Sequence, residues 1–481
     1  MMNTDLALFL SITGTAFFLV STLTVPINAD EISYHQHQPM QAALKSFIAS
    51  RRPSLVSIPS SPPRQTVHRH HGRAVSRVYE VTAYGADPTG TEDSTEALLK
   101  VFADVLRGPT SGTMLHGMIK NFGGAQINLA GGIYLISRPL RFPVGGVGNV
   151  VILGGSLRAS DDFPTDGYLI NLSTSSRWSS TAKKYDYEYI TLRDLMLDSN
   201  FRGGGVFIRD SARISIDNCY ITHLSTDGIS INGGLDNLVR NTFIGQHITN
   251  GSDAHERHFS GTGIALNSGD NAITNVVIFS AAVGINVTRQ ANFLSGVHCY
   301  NKGHKYGGVG IYLNLSGRAQ THIVNSYLDF TGIVAEDPVQ LTVANSFFLE
   351  AFIVFKSKIG VAKWVTVVNN MFSGLRGKMV VLDGKFEDID NVLVDGNEVG
   401  GGMGLKATVA LGSTKGRGKT SWVVDFNQVL LFPRRITHAH YTLTSIGTEF
   451  PRHALRNVTR NRVVVESDIP VTGTVYATVR Q

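Results

Sequence analysis

A short phrase recurs through the middle of this chain and restricts the fold more than any other feature. Each copy has alternating aliphatic or β-branched residues, then Asn, then a second apolar stretch and a loop. The recurring asparagines are Asn218, Asn241, Asn275, Asn325, Asn345 and Asn369. The loop leads into a second phrase, Gly-Ile, whose glycines are Gly228, Gly263, Gly284, Gly310 and Gly332.

The spacing and period of these phrases predict a solenoid of β-strands. Successive units lie roughly 20 to 35 residues apart, which is typical of solenoids. Apolar residues alternate with a period of two over short segments, as in strands, and no helical pattern joins them. This favours an all-β fold, a single-stranded right-handed parallel β-helix, over a leucine-rich repeat or a propeller.

The recurring Asn has a physical explanation. Asn tolerates the left-handed backbone region, and its amide can bond to stacked neighbours, so we expect an asparagine ladder at a bend between sheets. The phrase continues at Asn397 and in Trp422–Asn427, which predicts further coils there. A helical pattern over Thr91–Leu106, with a cap-like start, predicts an N-terminal helix that covers the first coil.

The first 77 residues differ in character from the rest. An apolar stretch over 6–25 predicts a signal peptide at 1–29, with a membrane anchor as the alternative. Six arginines lie in 51–77, whereas the remainder is neutral within a net charge of +6. We expect 30–77 to be a disordered linker or propeptide, or else an electrostatic tether to an anionic wall polymer.

Export predicts certain modifications. Five glycosylation sequons occur, at Asn171, Asn250, Asn286, Asn314 and Asn457. Only two cysteines are present, Cys219 and Cys299, so this is not a disulfide scaffold, although one bridge is geometrically conceivable.

Two segments after residue 77 carry a family resemblance. The stretch 78–97, with Tyr-Gly-Ala-Asp-Pro-Thr-Gly at its centre, resembles the opening of pectin-lyase-like β-helices, and 123–136 resembles their next phrase. The resemblance extends over about 78–470, and within this superfamily it is greatest to plant polygalacturonases of the QUARTET type. It implies a β-helix catalytic domain over 78–481, in a glycoside hydrolase of α-1,4-galacturonan that is linked to release of pollen from the mother-cell wall.

The family's catalytic motifs are matched only in part. Ser225-Thr226-Asp227 resembles the first motif, Asn-Thr-Asp, with Ser in place of Asn. The paired aspartates are absent from the next coil, and the expected histidine is absent from the coil after it. A histidine, His304, occurs one coil later than the family pattern implies. The site is therefore rearranged, or activity is altered or lost.

Three loops that enter the Gly-Ile phrase are the candidate site. They span 222–227, 250–260 and 301–306 and should stack on one face, because coils repeat about every 4.8 Å. An inverting glycosidase needs two carboxyls roughly 6.5–9.5 Å apart. The candidates for acid and base are Asp227, Asp253 and Glu256.

The same loops offer residues that could bind an acidic sugar. Arg257, His304 and Lys305 are the candidates for binding substrate carboxylates, and Tyr306 could stack on a sugar ring. Outside these loops, we expect Asp270 to be a turn residue, and the pair Glu336 and Asp337 to be a loop rim.

Two other functions compete with hydrolysis. One is a pectate lyase, which would need a clustered calcium site. The other is a wall-binding β-helix without catalysis, which the missing motifs favour. We expect no cofactor, no metal, no nucleic acid partner, no membrane association after signal cleavage, and a monomer.

Overall fold

A computed structural model describes residues 77–115, 117–174, 185–246, 260–301, 307–318, 320–448 and 450–481. The predicted signal peptide and all of the predicted linker except Arg77 lie outside these residues. No helix in the described ranges is long and apolar enough to cross a membrane.

The described chain consists almost entirely of strands. In chain order the elements are β1 (Val78–Glu80), a 3-10 helix (Val81–Tyr84), β2 (Thr89–Asp93), α1 (Thr95–Val105), β3 (Lys120–Asn128), β4 (Ile133–Ile136), β5 (Val147–Ala159), β6 (Tyr168–Leu172), β7 (Tyr187–Asp198), β8 (Gly204–Arg209), β9 (Ser215–Asp217), β10 (Tyr220–Thr222), β11 (Asp227–Asn232), β12 (Leu238–Arg240), β13 (Phe243–Gly245), β14 (Thr262–Asn267), β15 (Ala272–Phe279), β16 (Val283–Val287), β17 (Asn292–Tyr300), β18 (Val309–Leu313), β19 (Thr321–Val324), β20 (Tyr327–Asp329), β21 (Ile333–Glu336), β22 (Leu341–Ala344), β23 (Phe347–Leu349), β24 (Ile353–Lys356), β25 (Val361–Val368), β26 (Met371–Gly374), β27 (Val380–Asp383), β28 (Asp388–Asp395), β29 (Glu398–Gly401), β30 (Val409–Asp425), β31 (His438–Ser445), β32 (His453–Thr459) and β33 (Arg462–Arg480).

Two parallel sheets wind into a β-helix. Sheet B stacks nine strands, β6, β8, β11, β14, β16, β18, β21, β24 and β27, while sheet A contains the other twenty of the first twenty-nine. Sheet A is folded along its length, because β15 pairs with β12 through Ala272–Thr274 and with β13 through Val277–Phe279. Each coil therefore has three faces, two from sheet A and one from sheet B.

The asparagines that recur in the sequence form the bend within sheet A. Asn275, between the two halves of β15, has φ 53°, and its five counterparts have φ between 51° and 55°. The left-handed prediction is confirmed. Asn–Asn hydrogen bonds occur at this bend, where Asn370 donates to Asn397 at 2.9 Å. A longer ladder lies at another corner, where buried Asn237 donates to Asn271 at 3.1 Å and Asn271 donates to Asn292 at 2.9 Å.

Glycine in the Gly-Ile phrase is required by close packing between coils. A Cβ on Gly263 would lie 2.6 Å from the carbonyl oxygen of Gly284, and one on Gly284 would lie 2.3 Å from that of Gly310. Distances this short exclude a side chain. The Ile that follows each glycine is fully buried in the core, as Ile264 and Ile285 show.

The core runs the length of the coils and includes both cysteines. Cys219 and Cys299 are buried free thiols, so no disulfide joins them. Burial raises the pKa of each thiol to about 12, which keeps both protonated and unreactive.

The N-terminal helix starts later than the sequence predicts. Residues up to Asp93 form β2, which pairs with β4, and α1 begins at Thr95. The Asp93 carboxylate accepts the Thr95 N–H at 2.9 Å and so stabilises this start. Leu98 and Phe102 of α1 are buried in the same core as the first coils, which supports the predicted capping role.

The coils do not continue to the C-terminus. The prediction of a further coil at Trp422–Asn427 is wrong, because this phrase lies in β30, which pairs antiparallel with β33. Strands β30 to β33 form sheet C, with a separate core in which Trp422 is buried. Alternation in an antiparallel strand has the same period of two, so the phrase alone could not distinguish the two sheets.

Candidate active site

Asp227 is the first residue of β11. It lies at the edge of sheet B that is formed by the N-terminal ends of its stacked strands. It pairs in register with Thr262 of β14, which in turn pairs with Val283 of β16. The pairing skips Gly228, where an added Cβ would meet the buried Ile244 side chain at 2.6 Å. Gly228 therefore points into the core, and its neighbour Asp227 is left outside it.

One hydrogen bond holds the Asp227 carboxylate. The Tyr168 hydroxyl donates to Asp227 Oδ2 at 3.1 Å. Burial, with a further contribution from the negative charge of Asp227, raises the pKa of Tyr168 to about 12. Tyr168 thus remains a donor over the whole range in which a glycosidase works, and it fixes the orientation of the carboxylate.

The other predicted site residues lie outside the described residues. Asp253, Glu256 and Arg257 belong to 247–259, and His304, Lys305 and Tyr306 belong to 302–306. The structure describes the residues on either side of these two segments, at 246 and 260 and at 301 and 307.

At each of the two loops, a buried side-chain amide joins the chain just before the loop to the chain just after it. Both amides lie at the same edge of the coils as Asp227. Gln246 Nε2 donates to the Leu224 carbonyl at 2.8 Å and to Ser260 Oγ at 2.9 Å. Asn301 donates to the Gly307 carbonyl. The two loops leave and re-enter the scaffold at β13–β14 and β17–β18, whereas the intervening connection of β15 to β16 has only three residues.

A carboxylate–histidine pair beside Asp227 was missed by the sequence prediction. His223 Nδ1 lies 2.7 Å from Asp198 Oδ1, so Nδ1 carries the proton, and the Phe201 ring packs on the imidazole at 4.8 Å. Burial raises the pKa of Asp198. Hydrogen bonds from His223 and a backbone N–H lower this pKa by a larger amount, so the net change is downward. Asp198 therefore stays ionised and orients a histidine four residues before Asp227.

A second missed group is the buried carboxyl of Asp329 at the end of β20. It is 7% exposed, and its Oδ1 has no hydrogen-bond partner in the described part of the chain. Burial raises its pKa to about 7, against a weak donation from Tyr327 at 3.5 Å. The Tyr327 ring stacks on His298 at 4.4 Å, which adds to the apolar surroundings.

Asp329 is too far from Asp227 to be its catalytic partner. Four strand-to-strand steps of sheet B, from β11 to β21, separate their coils. At about 4.8 Å a step this is roughly 19 Å, well beyond the separation of two carboxyls in a glycosidase. The predicted partner of Asp227 belongs closer to its own coil, and the segment 247–259 leads into the next one.

The acidic pair Glu336 and Asp337, at the C-terminal end of β21, is not the exposed loop rim that the sequence predicts. Glu336 is 7% exposed and Asp337 is fully buried. The Asp337 carboxylate accepts backbone N–H groups from Lys358, Ile359, Gly360 and Val361. Since these hydrogen bonds come from the next coil, the sequence around the pair could not reveal them.

The sequons and the metal prediction can be placed only in part. Asn314 and Asn457 are exposed, Asn171 and Asn286 are half-buried in strands, and Asn250 lies outside the described residues. No three His, Cys, Asp or Glu side chains in the described ranges are grouped as metal ligands. Glycan occupancy stays a prediction, which mass spectrometry of the sequon peptides would check.

The comparisons with known proteins agree with this scaffold. The family model of the right-handed β-helix region matches residues 184–348. The chain is 54% identical over 450 residues to polygalacturonase QRT3 of Arabidopsis thaliana, covering 92% of this chain and 91% of the relative. This chain belongs to the polygalacturonase family. It is accordingly a glycoside hydrolase built on a right-handed parallel β-helix.

A solved structure with low sequence identity has a similar fold, and a second shows a weaker likeness. ORF18 of Geobacillus virus E2 is similar with a TM-score of 0.51 and 11% identity, over 82% of this chain and 77% of that chain. The endo-xylogalacturonan hydrolase of Aspergillus tubingensis has a TM-score of 0.42 and 12% identity, over 67% of this polygalacturonase and 94% of that enzyme.

Proposed function

We propose that this polygalacturonase hydrolyses the α-1,4-galacturonan of pectin in the plant cell wall. The 54% identity to polygalacturonase QRT3 over nearly the whole of both chains carries the proposal. We further propose that it is secreted by means of the signal peptide at 1–29 and acts in cell separation, such as release of pollen from the mother-cell wall. The half-buried Asp227, oriented by Tyr168 where the sheet B strands begin, supports a catalytic role on this scaffold.

In the proposed mechanism, one carboxyl protonates the leaving oxygen and another activates water. Asp227 supplies one of these groups, and Asp253 or Glu256 of the next coil supplies the other. Adjacent coils are about 4.8 Å apart, so a carboxyl on a projecting loop can reach the roughly 6.5–9.5 Å that an inverting enzyme requires. The Tyr168 hydroxyl donates to Asp227 Oδ2 and so orients this carboxylate. We assign the oriented carboxylate of Asp227 as the base and the loop carboxyl as the acid.

Substrate binding in this proposal uses the cations of the same two loops. Arg257, His304 and Lys305 bind the carboxylates of the galacturonate units, and Tyr306 stacks on a sugar ring. The hydrogen bonds of Gln246 and Asn301 support this arrangement, because both segments then leave and re-enter the strands at the edge that carries Asp227.

The direct test is an assay of the purified protein on polygalacturonic acid. Reducing ends and the ultraviolet absorbance of unsaturated products are followed together, with and without a chelator. Hydrolysis gives reducing ends without absorbance, and a chelator leaves the rate unchanged. Absorbance that disappears with chelator would instead show a pectate lyase, and binding without either product would show a wall-binding β-helix.

A further inference from the structure

Sheet B carries a row of cations at the edge opposite Asp227. Arg289 follows β16, Arg318 follows β18, and Lys356 ends β24 with Lys358 just after it. These strands stack in the order β16, β18, β21, β24, so the row spans three steps of about 4.8 Å, or roughly 14 Å along the axis. We call these four residues the basic corner.

Two of the four cations have no counter-charge within the described ranges. Arg289 and Arg318 are exposed, and no described carboxylate lies within ion-pair distance of either guanidinium. Each guanidinium presents a planar fork of donors that matches a carboxylate. Their charge is therefore available to a ligand.

The other two cations are held in place by buried acids. Lys356 Nζ lies 3.4 Å and Lys358 Nζ 3.6 Å from Glu336 Oε1, to which the Tyr312 hydroxyl also donates at 2.7 Å. The backbone of Lys358 is fixed by the Asp337 carboxylate, at 3.0 Å from its N–H. The two lysines are balanced by the two buried carboxylates, so the net positive charge of the corner comes from Arg289 and Arg318.

The sign of the charge changes on both flanks of the corner. Asp270 is exposed in the turn after β14, one coil before Arg289. Asp383 is exposed at the end of β27, in register with Lys356 on the next coil. The row of four cations is thus bounded by a carboxylate on each side, and its length suits a linear anion that lies along the axis.

We propose that the basic corner binds the carboxylates of an acidic polysaccharide chain, outside the loops that carry out hydrolysis. This rests on the proposed function in that galacturonan is the acidic polymer concerned. The corner begins two coils and ends five coils beyond the coil of Asp227, and it lies at the other ends of the sheet B strands. It therefore engages long chains and is not reached by short oligomers bound at the catalytic edge. Its contribution is to polymer affinity, with the chemistry unchanged.

The test compares two double variants with the same loss of charge. Arg289→Gln/Arg318→Gln neutralises the unpaired cations of the corner, and Lys415→Gln/Arg417→Gln neutralises two exposed cations of sheet C. Binding to polygalacturonic acid, KM and kcat are measured at low and moderate salt on deglycosylated protein, so that a glycan at Asn314 cannot mask the corner. We expect the corner variant to weaken polymer binding and raise KM roughly fivefold at low salt, with kcat unchanged and a trimer substrate unaffected.

A second variant addresses the buried cluster without leaving an unpaired charge. Glu336→Gln/Lys356→Gln/Lys358→Gln removes the carboxylate together with its two lysines, and it should weaken polymer binding while the denaturation midpoint stays near the parent's.

The outcomes separate this inference from the proposed function. If the parent hydrolyses the polymer but both double variants retain parental KM and binding, the corner does not bind substrate. If the parent binds the polymer through the corner without hydrolysis, the inference holds and the proposed function fails. If the parent neither binds nor cleaves the polymer, both are wrong.

Discussion

The buried carboxyl of Asp329 makes folding stability depend on pH in a way that can be calculated. Its pKa is about 7 in the folded chain, against an ordinary value of 3.8. Below the lower value both folded and unfolded chains are protonated, and the carboxyl adds no pH dependence. As the pH rises towards 7, the unfolded chain releases the proton and the folded chain keeps it, so stability falls. Each pH unit in this interval corresponds to about 1.4 kcal/mol, which gives a total loss of about 4 kcal/mol.

The substitution Asp329→Asn removes this loss. We expect the free energy of unfolding of the variant, relative to the parent, to increase by about 4 kcal/mol between pH 4 and pH 8. Urea denaturation at each pH, followed by tryptophan fluorescence, measures the difference. A constant offset between variant and parent at all pH values would refute the reasoning, because the carboxyl would then not titrate in this range.

Asp198→Asn provides a control of opposite sign. The pKa of Asp198 is lowered in the folded chain, so its stabilisation is present above the unfolded pKa and is lost as the pH falls. This variant should therefore be destabilised most at neutral pH and progressively less in acid, whereas Asp329→Asn gains most at neutral pH.

Three further predictions concern the packing between coils. Asn271→Ala leaves buried donors of Asn237 without an acceptor and should lower the free energy of unfolding by about 2–4 kcal/mol in urea titrations; no change would exclude the ladder as a source of stability. Gly263→Ala places a Cβ 2.6 Å from a carbonyl of the next coil, so we expect a lower denaturation temperature, and an unchanged one would contradict the close packing. Cys219 and Cys299 should not react with a thiol reagent at pH 8 until urea is added; rapid reaction of the folded protein would show that they are not buried.

The repetition in the sequence predicted the scaffold because it reflects local backbone requirements. A left-handed bend selects Asn at positions such as 275, and close packing of coils selects Gly at positions such as 263. These requirements recur in every coil and can be recognised without knowing which coils touch. The end of the helix could not be predicted in the same way, since alternation in β30 looks the same in an antiparallel sheet.

The groups at the site depend on contacts between coils, which irregular coil lengths hide from the sequence. Asp198 and His223 are 25 positions apart and meet because β7 and β10 pair in register. The raised pKa of Asp329 comes from its burial within the stacked coils, which outweighs the lowering effect of the hydrogen bond from Tyr327. Asp227 could be proposed as a site residue from the sequence only because it stands directly before a Gly-Ile phrase and resembles a family motif.

The most direct measurement of the central claim is kcat on polygalacturonic acid for Asp227→Asn beside Asp270→Asn. Both substitutions remove one carboxylate near an end of a sheet B strand, but only Asp227 lies at the edge where the segments 247–259 and 302–306 lead into β14 and β18. We predict that kcat falls by roughly a hundredfold or more for Asp227→Asn, with an unchanged denaturation midpoint, and stays within about twofold for Asp270→Asn. Near-parental turnover of Asp227→Asn would contradict the assignment of the active site to this edge.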